Sequence, residues 1–382
     1  MTFDIACMKG VDTPFYYYDM ELLRSTLAEI NSCIAGTPVH VHYAIKANGN
    51  PGILKAVHEA GLGADCVSGG EISAALEAGF PATSVFYAGV GKTDEEIKLG
   101  IEVGIGCFNV ESVEELEVIS SIGAEMGKKV PVALRVNPNI DAHTHEYITT
   151  GLEENKFGID LRRLDDAVEK AVKSPNIDLV GLHFHIGSQI TINEPFAILC
   201  ERINDLTAHF REKGIEFKIL NVGGGLGIDY NDPEANPIPD FKGYFNTLLS
   251  GLKLTEGQEI HCELGRAVVA QCGSLISKVL YVKEGVGRKF LILDAGMNDL
   301  LRPALYGAHH KIEVVSPEDA GSLDVYDVVG PVCESSDVFG KDEKIPAVRR
   351  GDMIALRSAG AYGESMASGY NMRKLPGCLF VG

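Results

Sequence analysis

The fold is decided by a couplet, VHVHYAI (39–45) followed by GILKAVHEAG (52–61), which keeps returning until residue 265. SVFYAG (84–89) leads into TDEEIKLGIEVG (93–104), and GCFNV (106–110) into SVEELEVISSIGAEMG (112–127). VPVALRVN (130–137) leads into DLRRLDDAVEKAVKS (160–174), and DLVGLHFHIG (178–187) into EPFAILCERINDLTAHFREKG (194–214). FKILNVGGG (217–225) and EIHCELG (259–265) close the series. Short β-rich runs alternating with amphipathic helical ones argue for repeated βα units on a parallel sheet. With GADCV (63–67) as a further strand the count is about eight, the number that closes a (β/α)8 TIM-like barrel. An open doubly wound sheet normally stops sooner.

Beyond residue 270 the texture changes to short β-rich runs separated by turn residues: GSLISKVLYVKEG (273–285), KFLILDAG (289–296), LDVYDVVGPV (323–332) and DMIALRSAGAY (352–362). This pattern predicts an antiparallel β domain. FYYYDM (15–20) is aromatic and β-prone, and it is expected to join that domain. The expected organisation is an α/β barrel over 25–270 and a β domain built from 1–24 and 271–382. YNDPEANPIPDFKG (230–243) is the one long Pro/Asn/Asp-rich loop.

With 34 basic and 53 acidic residues the 382-residue chain carries a formal charge of −19, which repels phosphate backbones and anionic headgroups. Nucleic acid and membrane surfaces are therefore excluded as expected partners. No charged and then apolar leader opens the sequence, and no run approaches the roughly 18 apolar residues of a membrane span, so a cytoplasmic protein is expected. The nine cysteines are an odd number, no two closer than Cys262 and Cys272, which predicts buried thiols rather than a disulfide framework or CxxC metal site.

Four places carry candidate chemistry. Lys46 closes the strand HVHYAIKAN, and in a parallel barrel the C-terminal strand ends form the active-site mouth. Apolar walls there would strip hydration from its ammonium and free the amine for a Schiff base; position alone fits a snorkelling lysine better. His183 and His185 share one strand face, so one can lie against a planar cofactor, or both can be hydrogen-bonded core histidines. Neither has a third metal ligand nearby in sequence. Ser188 follows them at the strand end, and Gly223, Gly224 and Gly225 follow KILNV, where backbone amides can approach a phosphate closely. The G-x-G-x-x-G spacing of a dinucleotide site is not met. Glu263 and Arg266 end the last barrel strand; a carboxylate on a pyridine nitrogen keeps that ring protonated, while a surface ion pair is the plainer reading.

Taken in order, YAIKAN (43–48), GADCVSGGE (63–71), LRVNP (134–138), HFHIGSQ (183–189), VGGGLGI (222–228), ELGR (263–266), MNDLLRPALYG (297–307), CESSD (333–337) and GAYGESM (360–366) resemble the pyridoxal-phosphate decarboxylases of the alanine-racemase-like fold. The RPALYG run is most similar to their diaminopimelate branch. The resemblance implies pyridoxal 5'-phosphate as cofactor, held by Lys46. It implies His185 stacked on the ring, Ser188 and the Gly223 to Gly225 loop around the phosphate, and Glu263 on the pyridinium nitrogen with Gly265 beside it. Arg266 and Tyr362 would then lie near both cofactor and substrate, with Asp65, Glu71 and Arg135 surrounding the reactive centre. Arg302, Tyr306 and Glu334 are implied as substrate contacts, and Cys333 as the proton donor to Cα. It further implies a homodimer with Cys333 and Glu334 contributed across the interface. The reaction implied is decarboxylation of meso-2,6-diaminopimelate at its D-centre, through an external aldimine, to L-lysine and carbon dioxide. Carboxynorspermidine, ornithine and arginine decarboxylases share the same machinery. The sequence departs from the family at Leu264, where proline is usual; Glu263 and Arg266 keep their spacing.

Overall fold

A computed structural model of the chain describes residues 3–140, 156–315 and 322–382. The chain divides into two compact units, Leu27–Gly227 with Asp240–Gly265, and Met1–Thr26 with Ile228–Pro239 and Arg266–Gly382. The loop Ile228–Pro239 and the stretch after Gly265 thus group with the β-rich unit, where the alternation pattern had placed them with the barrel. The reason is chemical: that loop carries no apolar strand or helix stripe of its own. Instead it meets the β-rich unit through polar contacts, the Gln271 amide donating to the Asn236 carbonyl and Arg357 pairing with Glu234.

Counting β1 as Phe15–Asp19, the next eight strands are β2 (Val39–Ala44), β3 (Gly63–Cys66), β4 (Val85–Tyr87), β5 (Cys107–Val110), β6 (Val130–Arg135), β7 (Ile177–His183), β8 (Ile219–Asn221) and β9 (Glu259–Leu264). They pair in order and close into one parallel barrel, β2 returning to β9. Helices follow most strands, and polar N-caps fix where several of them begin: Asn50, Ser68, Ser112 and Asp240 each accept a backbone N–H of the first turn. Thr93 and Glu96 form a capping box, and Gly104 ends that helix in the left-handed conformation. Inside the barrel Phe86, Cys107, Ala133 and Ile219 pack as one apolar cluster.

The second unit holds β10 (Gly273–Glu284), β11 (Lys289–Leu293), β12 (Ile312–Val314), β13 (Leu323–Val329), β14 (Val338–Pro346), β15 (Met353–Leu356) and β16 (Gly377–Val381). Strand order is β12-β15-β10-β11-β13-β14, with β1 on β10 and β16 on β1. The sheet is mostly antiparallel, as the turn-rich pattern predicts, but β11–β13 and β1–β16 run parallel because long connections separate their members. The aromatic run behaves as expected: Phe15, Tyr16, Tyr17 and Tyr18 are all buried, and the Tyr16 hydroxyl donates to the Asp299 carbonyl. Among the described residues no helix is long and apolar enough to cross a membrane. All nine cysteines are free thiols, five of them buried.

Close strand packing makes one glycine diagnostic. A Cβ on Gly181 of β7 would stand 2.2 Å from the Ile219 carbonyl oxygen of β8, so the backbone itself must give way. Gly181→Ala is expected to destabilise the chain by about 1–3 kcal/mol and lower its thermal midpoint. Gly377→Ala on β16, where open space surrounds an added Cβ, leaves the midpoint in place.

Candidate active site

The C-terminal ends of the barrel strands bring together residues scattered over more than two hundred positions of sequence. Lys46 sits in a single turn, Ile45–Ala47, directly after β2, and its Nζ lies 3.1 Å from Oδ2 of Asp65 on β3. Asp65 is fully buried, and its other oxygen, Oδ1, has no hydrogen-bond partner. Burial raises the Asp65 pKa, the nearby Glu263 charge raises it further, and the Lys46 ammonium opposes both, leaving it at about 7. Glu71 accepts the Val67 N–H at 2.7 Å, and burial raises its pKa while that bond and the nearby Lys46 charge oppose the rise.

Glu263 on β9 is the most heavily supported group in the barrel. Its Oε1 accepts from the amides of Asn109 at 3.0 Å and Asn221 at 2.8 Å, and its Oε2 lies 3.2 Å from His183 Nε2. Burial alone would raise its pKa; His183, then Lys46 and His185, outweigh that and hold the carboxyl well below the usual carboxylate range. Asn109 and Asn221 escaped sequence reasoning, although each stands as the one polar residue of a strand end, CFNV and ILNV.

The histidine pair divides by role. His183 is buried against Glu263. His185, half-buried at the next outward position, accepts the Gly224 N–H on Nδ1 at 3.1 Å, which puts its own proton on Nε2. Burial, and then the Arg135 and Lys46 charges, push its pKa down to about 3, so the ring is neutral. Around it the three-glycine loop is pressed close: a Cβ on Gly223 would meet the Phe184 carbonyl at 2.2 Å, and one on Gly224 the Glu263 carbonyl at 2.0 Å. Gly223 also has φ +72°, and its N–H is taken by the Asn221 side chain. Arg135, at the end of β6, is buried and gripped by Glu111 at 2.7 Å, a clamp with no sequence signature. Ser188 lies half-buried beyond β7.

The second unit assembles the other candidates. Arg266 is buried, donates to the Tyr230 hydroxyl at 2.7 Å and stacks 4.9 Å from the Tyr362 ring. Tyr362 itself has φ +56°, a conformation that a side-chain-bearing residue adopts only when its surroundings hold it there. Arg302 is 5% exposed and stacks 4.6 Å from Tyr230. Its NH1 donates to His310 Nε2 at 2.8 Å, while His310 Nδ1 donates to the Arg357 carbonyl. Burial pushes His310 down to about 3, so it is a neutral acceptor. Arg302 Nε has no partner, and among the described residues no carboxylate pairs with this arginine. Tyr306 ends the short helix that Arg302 begins. Cys333 and Glu334 are exposed; the Cys333 N–H donates to Asn371, and Tyr370 donates to Glu334 at 2.9 Å. Gly265, between Glu263 and Arg266, is buried.

Comparison with known proteins identifies the family of the chain. The family described as pyridoxal-dependent decarboxylase, pyridoxal binding domain, matches residues 21–270. A diaminopimelate decarboxylase of Bacteroides thetaiotaomicron is 57% identical over 375 residues, covering 98% of this chain and 97% of that one. The crystal structure of diaminopimelate decarboxylase from Helicobacter pylori complexed with L-lysine is 40% identical, with a TM-score of 0.93 over 99% of this chain and 93% of that one. A lysine/ornithine decarboxylase from Vibrio vulnificus, 23% identical over 99% of this chain and 96% of that one, shares the fold with a TM-score of 0.85. Matched by that domain over its barrel and by such relatives over nearly its whole length, the chain belongs to the pyridoxal-dependent decarboxylases, in the group of the diaminopimelate decarboxylases.

Proposed function

We propose that this chain decarboxylates meso-2,6-diaminopimelate at its D-centre, giving L-lysine and carbon dioxide, as the last step of lysine biosynthesis in the cytoplasm. The observation that carries the substrate assignment is Arg302, a buried guanidinium with a free Nε and no carboxylate partner among the described residues. An uncompensated buried charge is costly, and a substrate with a distal carboxylate removes that cost by pairing with the fork of N–H donors. Ornithine and lysine have no such group, and a site built for it rejects them.

The residues at the barrel mouth fit pyridoxal 5'-phosphate. Asp65 has an unsatisfied buried oxygen, the glycine loop carries no side chains that would screen its backbone amides from a phosphate, and Glu263 is an ionised carboxylate held rigidly in place. When bound, the cofactor supplies a protonated pyridine ring that accepts the electron pair left behind by departing carbon dioxide. Lys46 would hold it through its amine, and Glu263 would keep the ring nitrogen protonated. His185 would lie against the ring, Ser188, Gly223 to Gly225 and Tyr362 around the phosphate, and Asp65 with Arg135 beside the amine. Orienting the substrate's α-carboxylate for departure would be the task of these groups together with Arg266 and Tyr306.

Cys333 and Glu334 are exposed on a single chain, which suits residues that complete the site of a second copy. We assign them to the partner subunit of a homodimer: the Cys333 thiol delivers a proton to Cα, and Glu334 takes the distal ammonium.

Lys46→Ala is expected to abolish carbon dioxide release from meso-diaminopimelate; turnover in that variant refutes the assignment of the lysine. Arg302→Gln should lose about 2–5 kcal/mol of transition-state binding, read as a fall of at least roughly thirtyfold in kcat/KM for diaminopimelate. Ornithine, arginine and carboxynorspermidine assayed beside it show whether the distal carboxylate sets specificity. Cys333→Ala should slow turnover while the enzyme still retains cofactor, and wild-type rates would assign the proton to another group.

A further inference from the structure

At the end of the barrel away from Lys46, three side chains converge that the decarboxylation does not use. His40 on β2 and His261 on β9 are direct partners across the seam where the first and last barrel strands meet, with ring centroids 4.9 Å apart. Glu259 precedes His261 by two residues and shares its face of β9. One ligand atom from each of His40, Glu259 and His261 lies within 4.8 Å of the others. A cavity of about 310 Å³ opens beside them, lined by His40, His42 and His261.

The hydrogen bonds fix where the protons are. His42 Nδ1 lies 3.1 Å from the Ser84 carbonyl oxygen, and its Nε2 lies 2.8 Å from His261 Nδ1. A carbonyl only accepts, so the His42 proton is on Nδ1 and its Nε2 is an acceptor. His261 Nδ1 must then be the donor, which leaves His261 Nε2 a bare lone pair. That lone pair faces Glu259 Oε2 at 3.4 Å, while Glu259 Oε1 is held by Lys218 at 3.2 Å. Two acceptors confront each other, and only a proton or a cation between them makes the arrangement favourable.

We propose that His40, Glu259 and His261 bind a divalent transition-metal ion of the zinc class, which clips β2 to β9 and so locks the barrel seam. Imidazole nitrogens and a carboxylate oxygen are ligands such an ion prefers, at bond lengths of about 2.0–2.2 Å, with water completing a tetrahedral shell. The exposed His40 side chain is free to close on the ion, while buried His261 is held in the ligating tautomer by His42, a positioning residue. Sequence spacing concealed the set because its two histidines come from opposite ends of the barrel domain.

The test uses the holoenzyme, treated with EDTA, desalted and titrated with Zn²⁺ by calorimetry, alongside His40→Ala, Glu259→Gln and His42→Gln. One Zn²⁺ per chain is expected, with a raised thermal midpoint, because an ion that binds only the folded chain stabilises it. His40→Ala and Glu259→Gln, at exposed and half-exposed positions that keep the fold by circular dichroism, should each abolish the midpoint shift. His42→Gln should keep the stoichiometry and weaken affinity by roughly 10–100-fold. Absence of saturable binding at one ion per chain overturns the proposal, as does undiminished binding in His40→Ala and Glu259→Gln. Binding that leaves the midpoint unmoved overturns the seam clip. These readouts do not depend on turnover, so they stand apart from the decarboxylase assignment.

Discussion

Keeping a negative charge at the buried centre of the barrel is the constraint to which the rest of the site answers. An isolated carboxylate there would neutralise itself, because its desolvation costs several kcal/mol. Glu263 stays ionised because three strands each send it a partner: Asn109 from β5, His183 from β7 and Asn221 from β8. Those partners in turn dictate their surroundings. Asn221 also fixes the Gly223 amide, and the Glu263 carbonyl allows only glycine at Gly224, so the loop and the carboxylate are specified together. Asp65 shows the opposite outcome within the same barrel: its fields are less favourable, and its proton affinity rises instead.

Much of the architecture was legible in the sequence because it rests on local periodicity. The eight barrel strands, the helices between them and the aromatic strand FYYYD follow from runs of period two and 3.6. Lys46, the His183 and His185 pair, the three glycines and Glu263 stand at or near strand ends, but position alone left their plainer readings open, and it is the family resemblance that singled out their roles. Asn109, Asn221 and Glu111 were not, because each acts through a partner from a different βα unit, and one polar residue in a short strand carries no periodic signal. The allocation of Ile228–Pro239 was similarly hidden: a Pro/Asn/Asp-rich loop declares itself a loop, but not which unit its polar contacts serve.

The substrate assignment has the same logic as the carboxylate at the centre. A neutral His310, oriented by the Arg357 carbonyl, takes one N–H of Arg302 without compensating its charge. The guanidinium is thus positioned by neutral His310 and the Tyr230 ring, and neither compensates its charge. Family membership gives the reaction type; this local imbalance is the basis of the proposed choice of substrate.

The pairing of β1 with β10 and β16 imposes an order on the chain as it leaves the ribosome. FYYYD emerges early, yet one neighbour, Gly273–Glu284, and the other, Gly377–Val381, are made long afterwards. Until then a strand of four consecutive aromatic side chains has no native edge to join, while the barrel strands can pair as they appear. The nascent polypeptide therefore carries a sticky segment through most of its synthesis, a natural target for chaperones, and an early stall in translation would leave it exposed.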